Sequence, residues 1–190
     1  MSIVSCQIGQ CGNQLGQSLY NKFMTESLNS DEDHITATLE TYFHLRSSES
    51  LLTPNSIMVD MEPKVIDSLL ATPPDAYHSY DKKLSICREE GSGNNWAYGF
   101  LVHGVECLEL IMDRFKTLTE RLDSIEGVLV LQSLAGGTGS GVGSRVLEKL
   151  RDDLGTKPIY SVSVLPRLSG EVILQFYNAV FSIANLYNVR

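Results

Sequence analysis

Val128-Leu129-Val130-Leu131-Gln132-Ser133-Leu134-Ala135-Gly136-Gly137-Thr138-Gly139-Ser140-Gly141-Val142-Gly143 joins an apolar run to an amphipathic one through a loop almost without side chains. Residues 128–131 are apolar on both faces, as a buried parallel strand requires. Downstream, Val142, Val146, Leu147, Leu150 and Leu154 recur at helical spacing until Gly155, a residue suited to a C-cap. The loop is therefore expected between the carboxyl end of a strand and the start of a helix. There, unpaired N–H groups point at an anion with the helix dipole behind them. Glycine lets backbone approach a ligand without a Cβ clash, and Thr138 and Ser140 offer hydroxyls or a cap. The dipole supplies only about 0.3–1 kcal/mol to an exposed charge, so backbone hydrogen bonds must carry much of the affinity. The competing reading is a Gly-rich turn kept for tight packing alone.

Register excludes better-known phosphate loops. A Walker-type loop needs a lysine, and none lies between Gly136 and Arg145. A dinucleotide fingerprint needs a third glycine, but Gly137 and Gly139 are followed by Val142, and Gly139 and Gly141 by Ser144. A hydrolase elbow would want glycine where Thr138 precedes Ser140. A third kind of phosphate loop remains.

The 190 residues are 43% hydrophobic and 20% charged, which predicts a soluble globular protein with a sizeable core. A net charge of −8 argues against nucleic acid as a partner, because such binders carry a basic stripe and the longest basic run here is Lys82-Lys83. No apolar segment approaches the roughly 20 residues of a membrane span, and no signal-peptide pattern opens the chain, so a cytosolic location is expected. Cys6, Cys11, Cys87 and Cys107 lack paired spacing and read as reduced. Cys6 and Cys87 fall in strand-like runs as small core residues, whereas Cys11 sits in a glycine turn within reach of a ligand. His34, His44, His78 and His103 are scattered and read as structural or surface residues.

Strand-like and helix-like segments alternate, predicting an α/β fold: a doubly wound, mostly parallel sheet with helices on both faces. Strands are expected at Ile3–Ile8, Ser56–Asp60, Leu84–Cys87, Val128–Leu131 and Pro158–Leu165. The first helix should bury Leu15, Leu19 and Phe23, and a short one should carry Val65, Ile66, Leu69 and Leu70. Asn94–Leu122 contains a long helix, and Glu171–Tyr187 forms the last. Asn29–Pro54 reads as a long surface loop, ordered at most over Leu39–Leu45. A helix on a parallel sheet usually leads into another strand, so the molecule is expected to be incomplete at Arg190. Its last helix should then expose Ile173, Phe176, Val180, Phe181, Ile183 and Leu186 and drive association.

In a doubly wound sheet the strand ends share one crevice. Gly9-Gln10-Cys11-Gly12-Asn13-Gln14 follows the first strand, Asp60-Met61-Glu62 the second and Gly91-Ser92-Gly93-Asn94-Asn95 the third. Alone, Asp60 and Glu62 read as a helix cap and a solvated acid. Beside three glycine loops they suit Mg²⁺ held next to a polyphosphate.

These runs, with Asp60-Met61-Glu62-Pro63, Gly93-Asn94-Asn95-Trp96-Ala97 and Gly136-Gly137-Thr138-Gly139-Ser140-Gly141, resemble the successive nucleotide loops of the tubulin family in order and spacing. Val59–Ile66, Gly91–Gly99 and Gly170-Glu171-Val172-Ile173 are most similar to the delta branch. The resemblance implies that residues 1–190 are a partial GTP-binding domain whose second domain is absent. It implies GTP/GDP and Mg²⁺ as cofactors, with Gln10, Cys11, Asn94, Ser133, Gly136, Gly137, Thr138 and Gly139 around the phosphates. Glu62 would support the metal, and Glu171 would contact ribose with Gln175 assisting. Ala135 replaces the first glycine of the run found in alpha and beta chains.

In the family an acidic residue of the neighbouring subunit completes hydrolysis, so the resemblance names no catalytic residue within this chain. The implied role is a cytoskeletal protein of centrioles, basal bodies or cilia whose partners are other tubulins or microtubule and centriole proteins, with neither nucleic acid nor membrane. The alternative is a short, non-hydrolysing regulatory or binding module for tubulin-like partners. A dinucleotide-dependent enzyme is disfavoured by the loop register.

Overall fold

A computed structural model of the chain describes residues 1–45, 51–71, 76–168 and 173–189. In chain order the described strands are β1 (Ser2–Ile8), β2 (Phe43–Leu45), β3 (Leu52–Pro54), β4 (Ser56–Asp60), β5 (Ser85–Cys87), β6 (Ile125–Ser133) and β7 (Ile159–Val164). The helices are α1 (Gly9–Ser27), α2 (Glu32–Tyr42), α3 (Pro63–Leu70), α4 (Trp96–Tyr98), α5 (Gly104–Thr119), α6 (Gly143–Leu154) and α7 (Gln175–Asn188). A π-helical turn, Gly99–His103, joins α4 to α5, and another, Thr138–Val142, leads into α6. Gly155 ends α6 with φ +58° and donates its N–H to the Arg151 carbonyl.

The fully apolar runs become the buried strands. The sheet runs β5-β4-β1-β6-β7 and every pairing is parallel, with Gln7 opposite both Met58 and Leu131. On one face Val4, Cys6 and Ile8 pack with Val128 and Val130 beneath Cys107, Ile111 and Phe115 of α5 and Val146, Leu147 and Leu150 of α6. On the other, Tyr20 and Met24 of α1 enclose a second core with Phe43, Met58, Ile66 and Tyr80. Each such large apolar side chain contributes roughly 1.5–3 kcal/mol on burial. The sheet is thus doubly wound. From β1 the chain steps outward through β4 to β5, then returns to β6 and steps outward to β7. Direction reverses at the β1–β6 junction, where a crevice opens at the carboxyl ends of the strands.

Four local expectations are corrected. The buried stripe of α1 is Gly12, Asn13, Gly16, Tyr20 and Met24, not Leu15, Leu19 and Phe23, which are half-buried. A Cβ at Gly12 would overlap the Leu131 carbonyl, and one at Gly16 the Gln7 side chain, so the missing side chains let the helix settle onto the sheet. Asn29–Pro54 is not a loop: α2 and the antiparallel β2–β3 pair occupy its described part. Asp31 caps α2 by accepting the His34 N–H at 2.9 Å.

Cys87 is exposed because β5 is an edge strand. Finally, α7 turns polar residues inward, namely Gln175, Asn178, Ser182 and Asn185. As expected, it leaves Ile173 before it and Phe176, Val180, Phe181 and Ile183 along it exposed; only Leu186 departs, packing against the main core.

Candidate functional site

Gly9 carries β1 into α1 with φ +75°, a conformation open to glycine. A Cβ there would stand 2.9 Å from the Gly139 N, so this turn lies directly against the glycine loop after β6. Asn13 fixes the turn from below, donating to the Gly9 carbonyl at 3.0 Å and to the Val59 carbonyl at 3.1 Å. The loop after β5 approaches from the other side: a Cβ on Gly137 would be 2.7 Å from the Ser92 Cβ and 2.8 Å from the Asn95 N. Three strand-end loops therefore interlock. Most loop glycines make room for neighbouring backbone, so tight packing and ligand approach are both served. Gly136 alone among the four of the run meets nothing closer than the Asn94 Oδ1, at 3.7 Å.

The Gly141 N–H bonds back to the Gly137 carbonyl at 2.8 Å, so the N–H groups ahead of it belong to the unpaired first turn of the helical segment. Ser140 is fully buried and donates its hydroxyl to the Gly136 carbonyl. Of the two hydroxyl-bearing residues proposed for the loop, only Thr138 lines the cleft.

This cleft, of about 260 Å³, is lined by Gln10, Cys11, Gln14, Asp60, Glu62, Lys64, Asn94, Ser133 and the run Gly136–Gly139, among others. Nine candidates thus line one space: Gln10, Cys11, Glu62, Asn94, Ser133, Gly136, Gly137, Thr138 and Gly139. Glu171 lies outside the described residues. Gln175 is directed elsewhere, donating to the Arg167 carbonyl at 3.0 Å. The volume lies near the lower limit for small-molecule sites, which suits the phosphate end of a larger ligand. Backbone N–H groups, amides, hydroxyls and one lysine against two carboxylates form a donor set for an anion with a metal beside it.

Asp60 is buried, and its Oδ1 accepts the Met61 N–H at 2.8 Å. Burial, with a smaller contribution from Glu62, raises its carboxyl to about 6. Glu62 is exposed at the N-cap position of α3 and makes no side-chain cap. Among the described residues no three His, Cys, Asp or Glu side chains converge as a metal cage. One or two carboxylates beside phosphate is the coordination Mg²⁺ accepts. Burial raises the Cys11 thiol, which keeps it protonated and disfavours a nucleophilic role. Asn94 holds φ +52°, a left-handed conformation that Asn tolerates, and Asn95 caps α4 through the Ala97 N–H at 2.9 Å.

Sequence reasoning missed the supports of this cleft. Asn178 of α7 donates to the carbonyls of Asn94 and Ala135, each at 2.8 Å, and accepts the Trp96 N–H at 2.9 Å. It ties two strand-end loops together and holds Ala135 by its carbonyl. Its signal was a polar stripe at helical spacing, hidden beside an apolar one. Lys64, a cation in the first turn of α3 that lines the cleft, also went unassigned.

The family model described as Tubulin/FtsZ family, GTPase domain, matches residues 2–190. Among curated relatives, the tubulin delta chain of Mus musculus is 37% identical across 98% of this chain and 43% of its own length. The tubulin delta chain of Homo sapiens is 35% identical over the same shares. The tubulin beta-1 chain of Colletotrichum graminicola is 31% identical across 97% of this chain and 42% of its own. The chain spans less than half the length of these relatives.

Proposed function

Because the chain belongs to the Tubulin/FtsZ family by its GTPase domain, we propose that residues 1–190 form the GTP- and GDP-binding domain of a delta-tubulin-like cytoskeletal protein. The supporting observation is that four strand-end loops, distant in sequence, meet in one cleft at the sheet's switch point. Bound GTP supplies a phosphoanhydride, and this chain's residues bind and orient it. Backbone N–H groups of Gly136–Gly139 and the Thr138 hydroxyl hold phosphate oxygens, with the amides of Gln10 and Asn94 and the Ser133 hydroxyl around them. Cys11 borders the cleft as a neutral thiol. Glu62, aided by Asp60, holds Mg²⁺ or its waters, and Glu171 takes the ribose. Hydrolysis awaits an acidic group from a neighbouring tubulin-like subunit, so the domain alone is a binder. The place of action is the cytoplasmic cytoskeleton, at centrioles, basal bodies or cilia, with other tubulins as partners.

Fluorescently labelled GTP titrated with Mg²⁺ should bind saturably and be displaced by GTP and GDP but not by ATP. Thr138→Ala with Gly139→Ala should weaken binding at least about tenfold. It removes one charge-assisted hydrogen bond, worth about 1.5–3 kcal/mol, and its new Cβ would stand 2.7 Å from the Ser133 carbonyl. Equal competition by ATP, or unchanged affinity in the folded double variant, would sink the reading.

A further inference from the structure

Behind Thr138, out of the cleft lining, lies a hydrogen-bonded chain of side chains. Thr138 Oγ1 is 3.1 Å from Ser92 Oγ, which is 2.9 Å from His103 Nδ1. Ser92 and His103 are each only 4% exposed. The Tyr98 ring meets the imidazole edge-on at 4.7 Å, which holds its plane. A buried histidine in the π-helical turn therefore reaches a hydroxyl at the cleft wall through one serine.

Each hydroxyl has a single proton, so the chain has two consistent directions. In the inward direction Thr138 donates to Ser92 and Ser92 to an unprotonated Nδ1, and Thr138 shows the cleft only lone pairs. In the outward direction Nδ1–H donates to Ser92, Ser92 donates to Thr138, and the Thr138 proton is free to point into the cleft. Phosphate oxygens only accept, so they bind the second arrangement and are repelled by the first.

Resting on the nucleotide reading above, we propose that His103 is a positioning residue for phosphate: its Nδ1–H, relayed by Ser92, aims the Thr138 hydroxyl at a phosphate oxygen. The imidazole has two neutral tautomers, and the bond made at one nitrogen selects between them. Coupling is reciprocal, so a bound phosphate selects the Nδ1–H form of His103 just as that form favours phosphate. Thr138 alone could rotate its proton either way. With Nδ1–H donating to Ser92, the buried relay leaves the Thr138 proton only the cleft to point into.

The test combines affinity and imidazole spectroscopy on the full protein. With Mg·GDP bound, ¹⁵N shifts should report a protonated Nδ1 at His103. Ser92→Ala and His103→Leu should each weaken Mg·GDP binding about tenfold. His103→Asn, which puts an amide N–H near the Nδ1 position, should bind within about threefold of the unaltered protein. His103→Gln, whose nitrogen falls near the Nε2 position instead, should bind like His103→Leu. Added to Thr138→Val, Ser92→Ala should cost nothing further, because the relay has lost its end.

An unprotonated Nδ1 in the loaded protein overturns the proposal. So do a full second loss in the Thr138→Val background and equal affinities for the Asn and Gln variants when both melt like the unaltered protein. If the unaltered protein binds no guanine nucleotide, the nucleotide reading itself falls. If it binds and the relay variants bind equally well, only the relay falls.

Discussion

At the scale of single residues, two buried groups give opposite responses to acid. Asp60 has its carboxyl raised from 3.8 to about 6 by burial. Its folded value exceeds its unfolded one, so its stability contribution is full below 3.8 and lost as pH rises through 6. His78 lies among Tyr20, Phe43 and Tyr80, with ring centroids 5.7–6.1 Å away and neither ring nitrogen hydrogen-bonded. Burial lowers it from 6.5 to about 4, so its contribution is full above 6.5 and lost as pH falls toward 4. Each shift corresponds to about 3 kcal/mol at most. Ligand-free Asp60→Asn should therefore lose urea stability between pH 6.5 and 4 relative to His78→Phe, in which Asp60 alone acts and stability rises. Parallel pH slopes in the two variants would contradict this. Asn178 offers a second test. Its truncation to Ala leaves two carbonyls and the Trp96 N–H without their partner, at about 1–3 kcal/mol per buried group. Asn178→Ala should cost at least about 2 kcal/mol by chemical denaturation and weaken GTP about tenfold, since both loops lose their tie. A full-strength GTP complex in this variant would refute the staple.

Among the elements, α1 shows where a hydrophobic pattern misleads. Its apolar residues Leu15, Leu19 and Phe23 suggest one face, yet the glycines one position away allow the closer approach to the sheet and win the contact. Gly12→Val should cost about 3 kcal/mol or more, because its Cβ has only the Leu131 carbonyl to displace. Leu19→Ala, at a half-buried position, should cost about 1 kcal/mol or less; the reverse order in urea midpoints would restore the apolar stripe. The central strands were legible because both faces are buried and most of their residues are apolar or small, with Gln7 and Gln132 as buried exceptions. The carboxyl-end loops were legible through their glycine density. Less visible was α2, which buries no residue completely, and the three-residue strands β2 and β3 are too short for alternation to register. For α7 the outward apolar face was read correctly except at Leu186, while its inward polar stripe went unread, since its partners there include polar backbone groups of the loops at the cleft. His103 gave no sequence signal at all: a lone histidine acquires meaning only when the fold sets Ser92 and Thr138 in line with it.

Over the whole molecule, the cleft at the strand ends and the apolar surface follow from one asymmetry. Because α7 spends its polar stripe on the loops at the cleft, its apolar residues face outward: Phe176, Val180, Phe181 and Ile183 are all about half exposed or more. Beside β6, the edge strand β7 is uncovered as well, with Tyr160, Val162 and Val164 exposed and no described strand on its far side. An uncovered edge offers unpaired N–H and C=O groups to another chain, and large apolar patches add a driving force for association. The isolated 190-residue chain should therefore self-associate with rising concentration, which sedimentation velocity would register as a growing weight-average mass. Val162→Lys together with Val180→Glu should shift it toward monomer. Because both side chains face solvent, unfolding free energy should stay within about 1 kcal/mol of the unaltered chain. GTP affinity should be unchanged too, since neither residue lines the cleft. A unit that remains monomeric at high concentration without these substitutions would show that the exposed face is not adhesive. A variant that turns monomeric only by unfolding would show that these residues support the fold rather than face a partner.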